Sequence, residues 1–508
     1  MCAVEAQTIT QRSVKGSAWL FSGRLVANVI RLAAVAILAR HLSPGDFGLV
    51  ALAQVLLQFS VLAADNGIGT YVICDRETGW ERRMSSAFWL NLGLTAGQLL
   101  ILCAATPFLS RFYENWMLGQ VLSGLAVVFL FQQMAVVPEA LVRRNLQYQN
   151  LVVRDTVCQF ITAVFSVAMA LAGWGIWSLV IPQVIMEPVR FVAILSIAKW
   201  RPRFSAGLEA WPKIIRYSAN LLGMNFFGLI ANDGDTLLVG KVLGVTSLGY
   251  YNLAWQLSNL VGRNVTGVVS AVALPALAIL KEDVSRLQSA YRRLLRMLAA
   301  ISFPFLMVLF VLAPDLIRLV YGPRWDPVTT LLRIFIVFTV VRSVTSPCAL
   351  IFNIVGRPDV GFKFAFAFLP FYVAAIYVGS WWGLIGVATG VMIVRTSGAV
   401  LALALSTRLI SLSFMRIIAD LTVVGIAALV ANGIVWAVNI YLMAQSIDPI
   451  TRVVTCVVCA GILYSLCLAR FDRKTYGEVT KLVSSLIPNV GSQLNRLMNH
   501  PLLVGAGK

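Results

Sequence analysis

Charge is scarce in this chain: 12% of its 508 residues are Asp, Glu, Lys or Arg, against 59% that are hydrophobic. So little charge cannot cover a water-soluble surface of this size, which leaves the bilayer as the solvent. Histidine is nearly missing, with His41 and His500 alone, and no cluster of His, Cys, Asp and Glu has metal-ligand spacing, so no metal and no cofactor are expected. Cysteine is sparse and scattered. Cys456-Val-Val-Cys459 has the spacing of a redox pair but lies in an apolar run of Val and Ala, away from any soluble reductant, and reads as two small buried side chains. Long polar loops are absent, which excludes an inserted soluble domain. The polar start, Met1 to Ser13, carries no cleavage-site pattern, so the first apolar segment is expected to stay as a span. No motif interleaves aromatic and basic residues in a way that would favour RNA or DNA, and nucleic acid is not an expected partner.

What the chain does have is long apolar segments. At roughly 20 residues per crossing, they predict spans near 17–39, 47–73, 84–109, 118–140, 151–172 and 176–198. A second series follows near 214–240, 249–278, 292–317, 328–354, 360–380 and 384–406, then two more near 417–441 and 450–469. The expected fold is an all-α integral membrane protein of about 14 transmembrane helices.

The two series resemble each other. Leu38-Ala-Arg40…Leu42-Ser-Pro-Gly-Asp-Phe-Gly48…Leu52-Ala53 aligns with Val239-Gly-Lys241…Leu243…Gly249…Leu253-Ala254 at a constant spacing of 201 residues, from Arg40 to Lys241. Pro107…Arg111…Trp116 echoes Pro314…Arg318…Trp325, and Trp174-Gly175 echoes Trp382-Gly383. Six spans per half is an even number, so both halves enter the membrane in the same direction and a pseudo-two-fold axis along the membrane normal relates them. The expected organisation is an N-terminal six-helix bundle (1–198), a basic, proline-containing linker (199–213), a C-terminal six-helix bundle (214–406), an accessory pair of spans (407–470) and a tail (471–508). A membrane protein built twice from one unit usually carries its substrate path between the halves, so the chain reads as a transporter.

Arginine and lysine are distributed one-sidedly. One set of loops carries Arg12, Lys15, Arg82, Arg83, Arg143, Arg144, Lys199, Arg203, Arg292, Arg293, Arg408 and Arg473, while the opposite set carries only Arg40, Arg111, Lys241, Arg318 and Arg324. The positive-inside rule makes the first set cytoplasmic, with both termini. The net charge of +19 follows mostly from this bias and from anionic headgroups. In the tail, Tyr476 to His500 alternates apolar residues with Lys481 and Arg496 around Pro488, which predicts short interfacial helices, dispensable for transport.

Polar residues at membrane depth are costly and mark pathways. Arg24, Asn28 and Arg31 fall on one face of the first span, and Asn252, Gln256, Asn259 and Arg263 form a stripe on the eighth; Arg342 and Arg395 add two further cations. Both stripes must turn away from lipid, which makes a shared interior cavity the economical arrangement. The competing reading makes each arginine a clamp on neighbouring carbonyls or carboxylates, or a side chain snorkelling to an interface. A cationic, amide-rich chamber suits an anion carrying hydroxylated groups, since guanidinium grips phosphate bidentately and amides serve sugar hydroxyls. Asp65, Asp233 and Asp235 lie deep as well; each either binds a coupling cation or proton, or neutralises an arginine.

Gly16-Ser-Ala-Trp…Arg24, Leu38-Ala-Arg…Leu42-Ser-Pro-Gly-Asp-Phe-Gly48, Asp65-Asn-Gly-Ile-Gly, Gly173-Trp-Gly-Ile-Trp177, Lys199-Trp-Arg-Pro, Leu237-Leu-Val-Gly-Lys…Leu248-Gly-Tyr-Tyr251 and Gly356-Arg-Pro-Asp359 occur in order along the chain. Together they resemble the Wzx-type polysaccharide flippases, and more narrowly the WzxC branch of the multidrug/oligosaccharidyl-lipid/polysaccharide exporter superfamily. The resemblance runs from about residue 12 to about residue 410. It implies a two-lobed fold with a central cavity in a bacterial inner membrane, and movement of a polyprenyl-pyrophosphate-linked oligosaccharide from the cytoplasmic to the periplasmic leaflet by alternating access. It implies that the first-span and eighth-span arginines face the lipid-linked anion. Membrane lipids are a further partner, and a polysaccharide polymerase and export machinery are candidates. On this reading Arg24, Arg31 and Arg263 hold the pyrophosphate, while Asn28, Asn252, Gln256 and Asn259 meet the glycan. A MATE-like exporter of a soluble amphipathic compound shares the two-bundle plan but usually favours an acidic chamber. An integral-membrane glycosyltransferase or polymerase would need catalytic groups on an outer loop, where Asp46, Glu114, Asp326 and Asp448 sit at separate corners.

Overall fold

The computed structural model describes residues 19, 23, 26–74, 80–203 and 211–486. Lipid offers the backbone no hydrogen-bond partner, so each apolar segment satisfies its own N–H and C=O groups as a helix. The described residues form α1 (26–41), α2 (Pro44–Cys74), α3 (Trp80–Phe112), α4 (Met117–Arg144), α5 (Tyr148–Leu171), α6 (Trp177–Ala198), α7 (Trp211–Val242) and α8 (Gly244–Ile279). After these come α9 (Val284–Val320), α10 (Asp326–Thr345), α11 (Cys348–Ile354), α12 (Pro358–Gly379), α13 (Gly383–Leu409), α14 (Phe414–Ala444), α15 (Pro449–Phe471) and α16 (Arg473–Leu486). Among the described residues nine helical segments are long and apolar enough to cross a membrane. The chain is an all-helical, multi-pass membrane protein.

The chain divides into two compact units. The first takes in the chain up to Asn252 with Val320–Gly322 and Ser380–Leu384; the second takes in Leu253–Leu319, Pro323–Gly379 and the chain from Ile385 onward. In the first, α2 packs against α4 and α7, α4 against α3 and α6, and α5 against α6. Ile68, Val72, Met84, Phe88, Val137, Leu141 and Ile214 fill its core. The start of α2 is set by Ser43-Pro-Gly-Asp46. The Asp46 carboxylate accepts from Ser43 N at 2.9 Å and from its Oγ at 2.7 Å, and Asp46 N donates back to that Oγ at 3.2 Å. This reciprocal cap, with Pro44 as the first helical residue, satisfies donors that a helix N-terminus leaves open.

The repeat glycines have physical reasons. A Cβ on Gly48 would lie 1.8 Å from the Val245 carbonyl oxygen, and one on Gly249 would lie 1.9 Å from the Pro44 carbonyl oxygen. Pro44 and Val245 are separated by the same 201 residues as Gly48 and Gly249, so each glycine meets a carbonyl of the other segment. Gly175 and Gly383, the paired glycines of the Trp-Gly motif, both hold positive φ, +54° and +67°, a conformation that costs glycine nothing.

The second unit centres on α9, whose Tyr291, Leu295, Leu298 and Phe303 pack with Ile351 of α11, Val424, Ala427 and Ala431 of α14 and Tyr464 of α15. The segment 328–354, expected as one span, lies within one candidate crossing, Pro323–Ile354, with a two-residue turn at Ser346 and Pro347 between α10 and α11. Helices α14 and α15 are tied to α9 by polar bonds. Arg292 donates to both oxygens of Asp420 at 2.6 and 2.9 Å, Arg452 pairs with Asp315, and the Tyr464 hydroxyl donates to the Ala300 carbonyl at 2.8 Å. Cys456 is buried among Val311, Leu312, Val435 and Ala460, and both it and Cys459 are free thiols. Helix α16 packs against α15, with Tyr476 and Val479 against the core and Glu478 paired with Arg293 at 2.9 Å.

Candidate functional site

Three of the polar residues singled out in the sequence converge within the second unit. On α10, Phe335, Phe338 and Arg342 are spaced i, i+3, i+7 and share a face. On α8, Trp255 and Asn259 are spaced i, i+4, and the Asn259 amide donates to the Trp255 carbonyl at 3.0 Å. Arg342 Nη1 donates to Asn259 Oδ1 at 3.1 Å, with its guanidinium carbon 5.7 Å from the Trp255 ring and 5.9 Å from Phe338. Arg395 of α13 lies over Trp255 at 4.4 Å and over Tyr372 of α12 at 5.1 Å. Trp255 is packed in turn by Phe335, edge-on at 5.6 Å, and by Phe338, stacked at 6.0 Å.

Elsewhere among the described residues arginines meet carboxylates: Arg154 pairs with Glu139 and Asp155, Arg190 with Glu187, and Arg452 with Asp315. Here the guanidinium groups lie over aromatic faces, which attract a cation through the ring quadrupole and carry no net charge. The hydroxyl of Tyr372 is buried without a hydrogen-bond partner among the described residues, at a cost of roughly 1–3 kcal/mol until a partner arrives. Two guanidinium groups, an amide and this hydroxyl make a donor-rich site suited to an anion that also carries hydroxyls.

Other sequence candidates lie elsewhere. In the first unit, Arg31 donates to Asn28 Oδ1 at 2.6 Å, so the two share a face of α1 as expected. Asn252 is half-buried and Gln256 exposed on α8. Arg24, and the side chains of Arg263 and Asp65, lie outside the described residues. Asp235 is buried at 2% exposure; it accepts from the Tyr251 hydroxyl at 2.5 Å and from Thr236 N at 3.1 Å. Asp233 is half-buried on the same helix.

The four acids at the helix ends, Asp46, Glu114, Asp326 and Asp448, have structural work. Asp46 caps α2, Asp448 caps α15 through Ile450 N and Thr451 N, and Asp326 accepts from Arg318 at 2.9 and 2.8 Å. Glu114 pairs with Lys241 at 2.9 Å, and the hydrogen bond and charge of that lysine hold its carboxyl below the usual range. Lys241 also lies 5.0 Å over the Phe112 ring.

Sequence reasoning missed the aromatic half of the cluster, because Trp255, Phe338 and Tyr372 in apolar runs look like lipid-facing or core residues. The one available signal was register: Trp255 falls between Asn252 and Asn259 on their own stripe. It also missed the acids Glu139 and Glu187, which pair within their own helices with Arg143 and Arg190, and Asp315 and Asp420, whose partners Arg452 and Arg292 are distant in sequence.

A family described as "Polysaccharide biosynthesis protein" matches residues 37–330. The teichuronic acid biosynthesis protein TuaB of Bacillus subtilis is 22% identical over 73% of this chain and 78% of its own length. The lipopolysaccharide biosynthesis protein WzxC of Escherichia coli is 23% identical over 78% of this chain and 81% of its own. Among solved structures, the lipid II flippase MurJ in an inward closed conformation superposes with a TM-score of 0.71 at 15% identity, covering 89% of this chain and 99% of that one. The two share a fold.

Proposed function

The chain belongs to the polysaccharide biosynthesis protein family, and from that membership we infer that it is a flippase. It moves a polyprenyl-pyrophosphate-linked oligosaccharide from the cytoplasmic to the periplasmic leaflet of a bacterial inner membrane by alternating access, with both termini cytoplasmic and about 14 spans arranged as two six-helix bundles and an accessory pair. It makes and breaks no covalent bond. Its substrate serves exopolysaccharide or lipopolysaccharide synthesis, and the product passes to a polymerase and export machinery.

The observation that carries this reading is the placement of Arg342 and Arg395 on the face of Trp255, with Asn259 bonded to Arg342. Intramembrane arginine is expensive and marks a substrate pathway by default. The pyrophosphate bonds to these guanidinium groups through charge-assisted hydrogen bonds, each worth about 1.5–3 kcal/mol. The polyprenyl tail stays in lipid. In the first unit, Arg31 and Asn28 are a separate candidate anion contact, and Arg24 and Arg263 are candidates from the sequence alone. Asp65, Asp233 and Asp235 are the candidates for ion coupling.

The test is leaflet translocation of the lipid-linked oligosaccharide, normalised to folded protein in the membrane. Arg342→Gln and Arg395→Gln are expected to remain abundant and to slow translocation by about 10-fold or more each, the kinetic equivalent of one lost charged contact. Arg→Lys at either position falls between, since lysine keeps charge but loses the planar fork. Undiminished translocation by the double Gln variant would overturn the assignment.

A further inference from the structure

We propose that the first unit holds a monovalent cation between α3 and α4, on the side-chain oxygens of Asn91, Thr95, Gln98 and Gln133. The inference stands apart from the flippase reading, since it involves neither the arginine cluster nor the anion. Asn91, Thr95 and Gln98 are spaced i, i+4, i+7 and share a face of α3. Gln133 belongs to α4, and the Asn91 amide donates to its carbonyl at 2.8 Å, which joins the two helices at that level. Asn91, Thr95 and Gln133 are 1%, 0% and 4% exposed. Yet Asn91 Oδ1, Thr95 Oγ1, Gln98 Oε1 and Gln133 Oε1 are all buried without a hydrogen-bond partner among the described residues. A folded chain does not leave four buried oxygens open in one place unless something fills them.

Helix geometry brings these oxygens to one level. Helical side chains lean toward the N-terminus, so Gln98 leans back toward Thr95. Helices α3 and α4 follow each other through a short connection and run antiparallel. Gln133, beside Asn91, therefore leans the other way along α3, which is also toward Thr95. The Asn91 amide nitrogen is committed to a carbonyl, an acceptor only, and that leaves its oxygen as the open end. Thr95 is set apart from Thr106 of the same helix, which donates to the Leu102 carbonyl at 2.9 Å, the usual recourse of a helical threonine. Thr95 makes no such bond.

The chemistry selects the occupant. Amide oxygens only accept, so what fills the cluster is a cation or a hydrogen-bond donor. Hard cations take oxygen ligands, and carbonyl dipoles can replace the water shell of a monovalent ion at membrane depth. No charged residue lies on α3 between Arg83 and Arg111, nor on α4 before Glu139. With no carboxylate from either helix, the cluster suits one positive charge rather than two, because neutral dipoles do not offset the desolvation of a divalent ion. The same neutrality hides the site in the sequence, where Asn, Thr and Gln in apolar runs lack the His, Cys, Asp and Glu spacing that marks a metal.

The experiment melts purified full-length protein in lipid nanodiscs in sodium chloride, potassium chloride and choline chloride at equal ionic strength. Wild-type protein should melt about 4 °C or more higher in sodium or potassium than in choline. Thr95→Val and Gln133→Met replace an oxygen at nearly constant volume. Each should raise the salt concentration needed for that shift about 10-fold, the equivalent of one lost contact. Both variants are expected to fold in choline, where an apolar group in place of an unpartnered polar one is neutral or stabilising. Equal melting of the wild type in all three salts would mean that the oxygens hold water alone. A cation shift undiminished in both variants would put the ion elsewhere. Either result overturns the site.

Discussion

Gly48 and Gly249 leave no room for side chains where α2 and α8 begin, since each would push a Cβ to within 2 Å of the other helix's carbonyl oxygen. Backbone cannot yield as a flexible side chain can, so Gly48→Ala and Gly249→Ala are each expected to destabilise by about 1–3 kcal/mol. Gly97→Ala, where nothing lies within 4 Å of the added carbon, is the matched control and should be neutral or slightly stabilising. Thermal melting of the purified variants checks this, and a Gly48→Ala melting point equal to that of Gly97→Ala would refute it. The pair also shows how far residues can be read before a structure exists. Their repeat relation is plain in the sequence, because identical spacing survives divergence. That they touch is not, because a glycine carries no side chain whose chemistry would name its neighbour. The same limit hid Trp255, whose ring is chemically ordinary until two arginines are found on it.

Helices α14, α15 and α16 have no counterpart in the first half of the sequence, yet they are bound into the second unit. Arg292 with Asp420 and Arg452 with Asp315 join α14 and α15 to α9. Breaking one partner of the buried Arg452–Asp315 pair costs roughly 3–5 kcal/mol, because the other charge is stranded. Helix α16 changes the expectation for the tail. Thr475 and Thr480 are buried, at 1% and 4% exposure, and Tyr476 and Val479 complete the core around Tyr464 and Leu468. A chain ending after Leu486 keeps these contacts. One ending after Asp472 should be less abundant and melt lower than it, because it uncovers that core and leaves Arg293 without Glu478. Equal melting temperatures for the two truncations would return α16 to the status of a dispensable interfacial helix. The helices themselves were legible because lipid demands long apolar runs. The α10–α11 turn was not, because Pro347 lies inside an otherwise apolar stretch that hydropathy treats as one crossing.

At the scale of the whole molecule, composition alone dictated a membrane protein, and the arginine bias predicts which way it faces. Arg143 closes α4 with its side chain 54% exposed, and Glu114 lies between α3 and α4 with its side chain 82% exposed, so a cysteine at either position is open to reagent. Helix α4 is 28 residues long, about 42 Å at 1.5 Å per residue, which reaches from one headgroup region to the other. The two loops at its ends therefore lie on opposite sides. In a background freed of native cysteines, Glu114→Cys should react with a membrane-impermeant maleimide added to intact cells, and Arg143→Cys only after permeabilisation. Removing either charge costs little stability, as exposed pairs are weak. On the proposed flippase reading, Arg143, with Arg144, faces the leaflet from which the lipid-linked sugar is taken, and Glu114 the leaflet to which it is delivered. Labelling of Arg143→Cys from outside, with Glu114→Cys protected, would reverse the molecule in the membrane and the proposed direction of flipping with it.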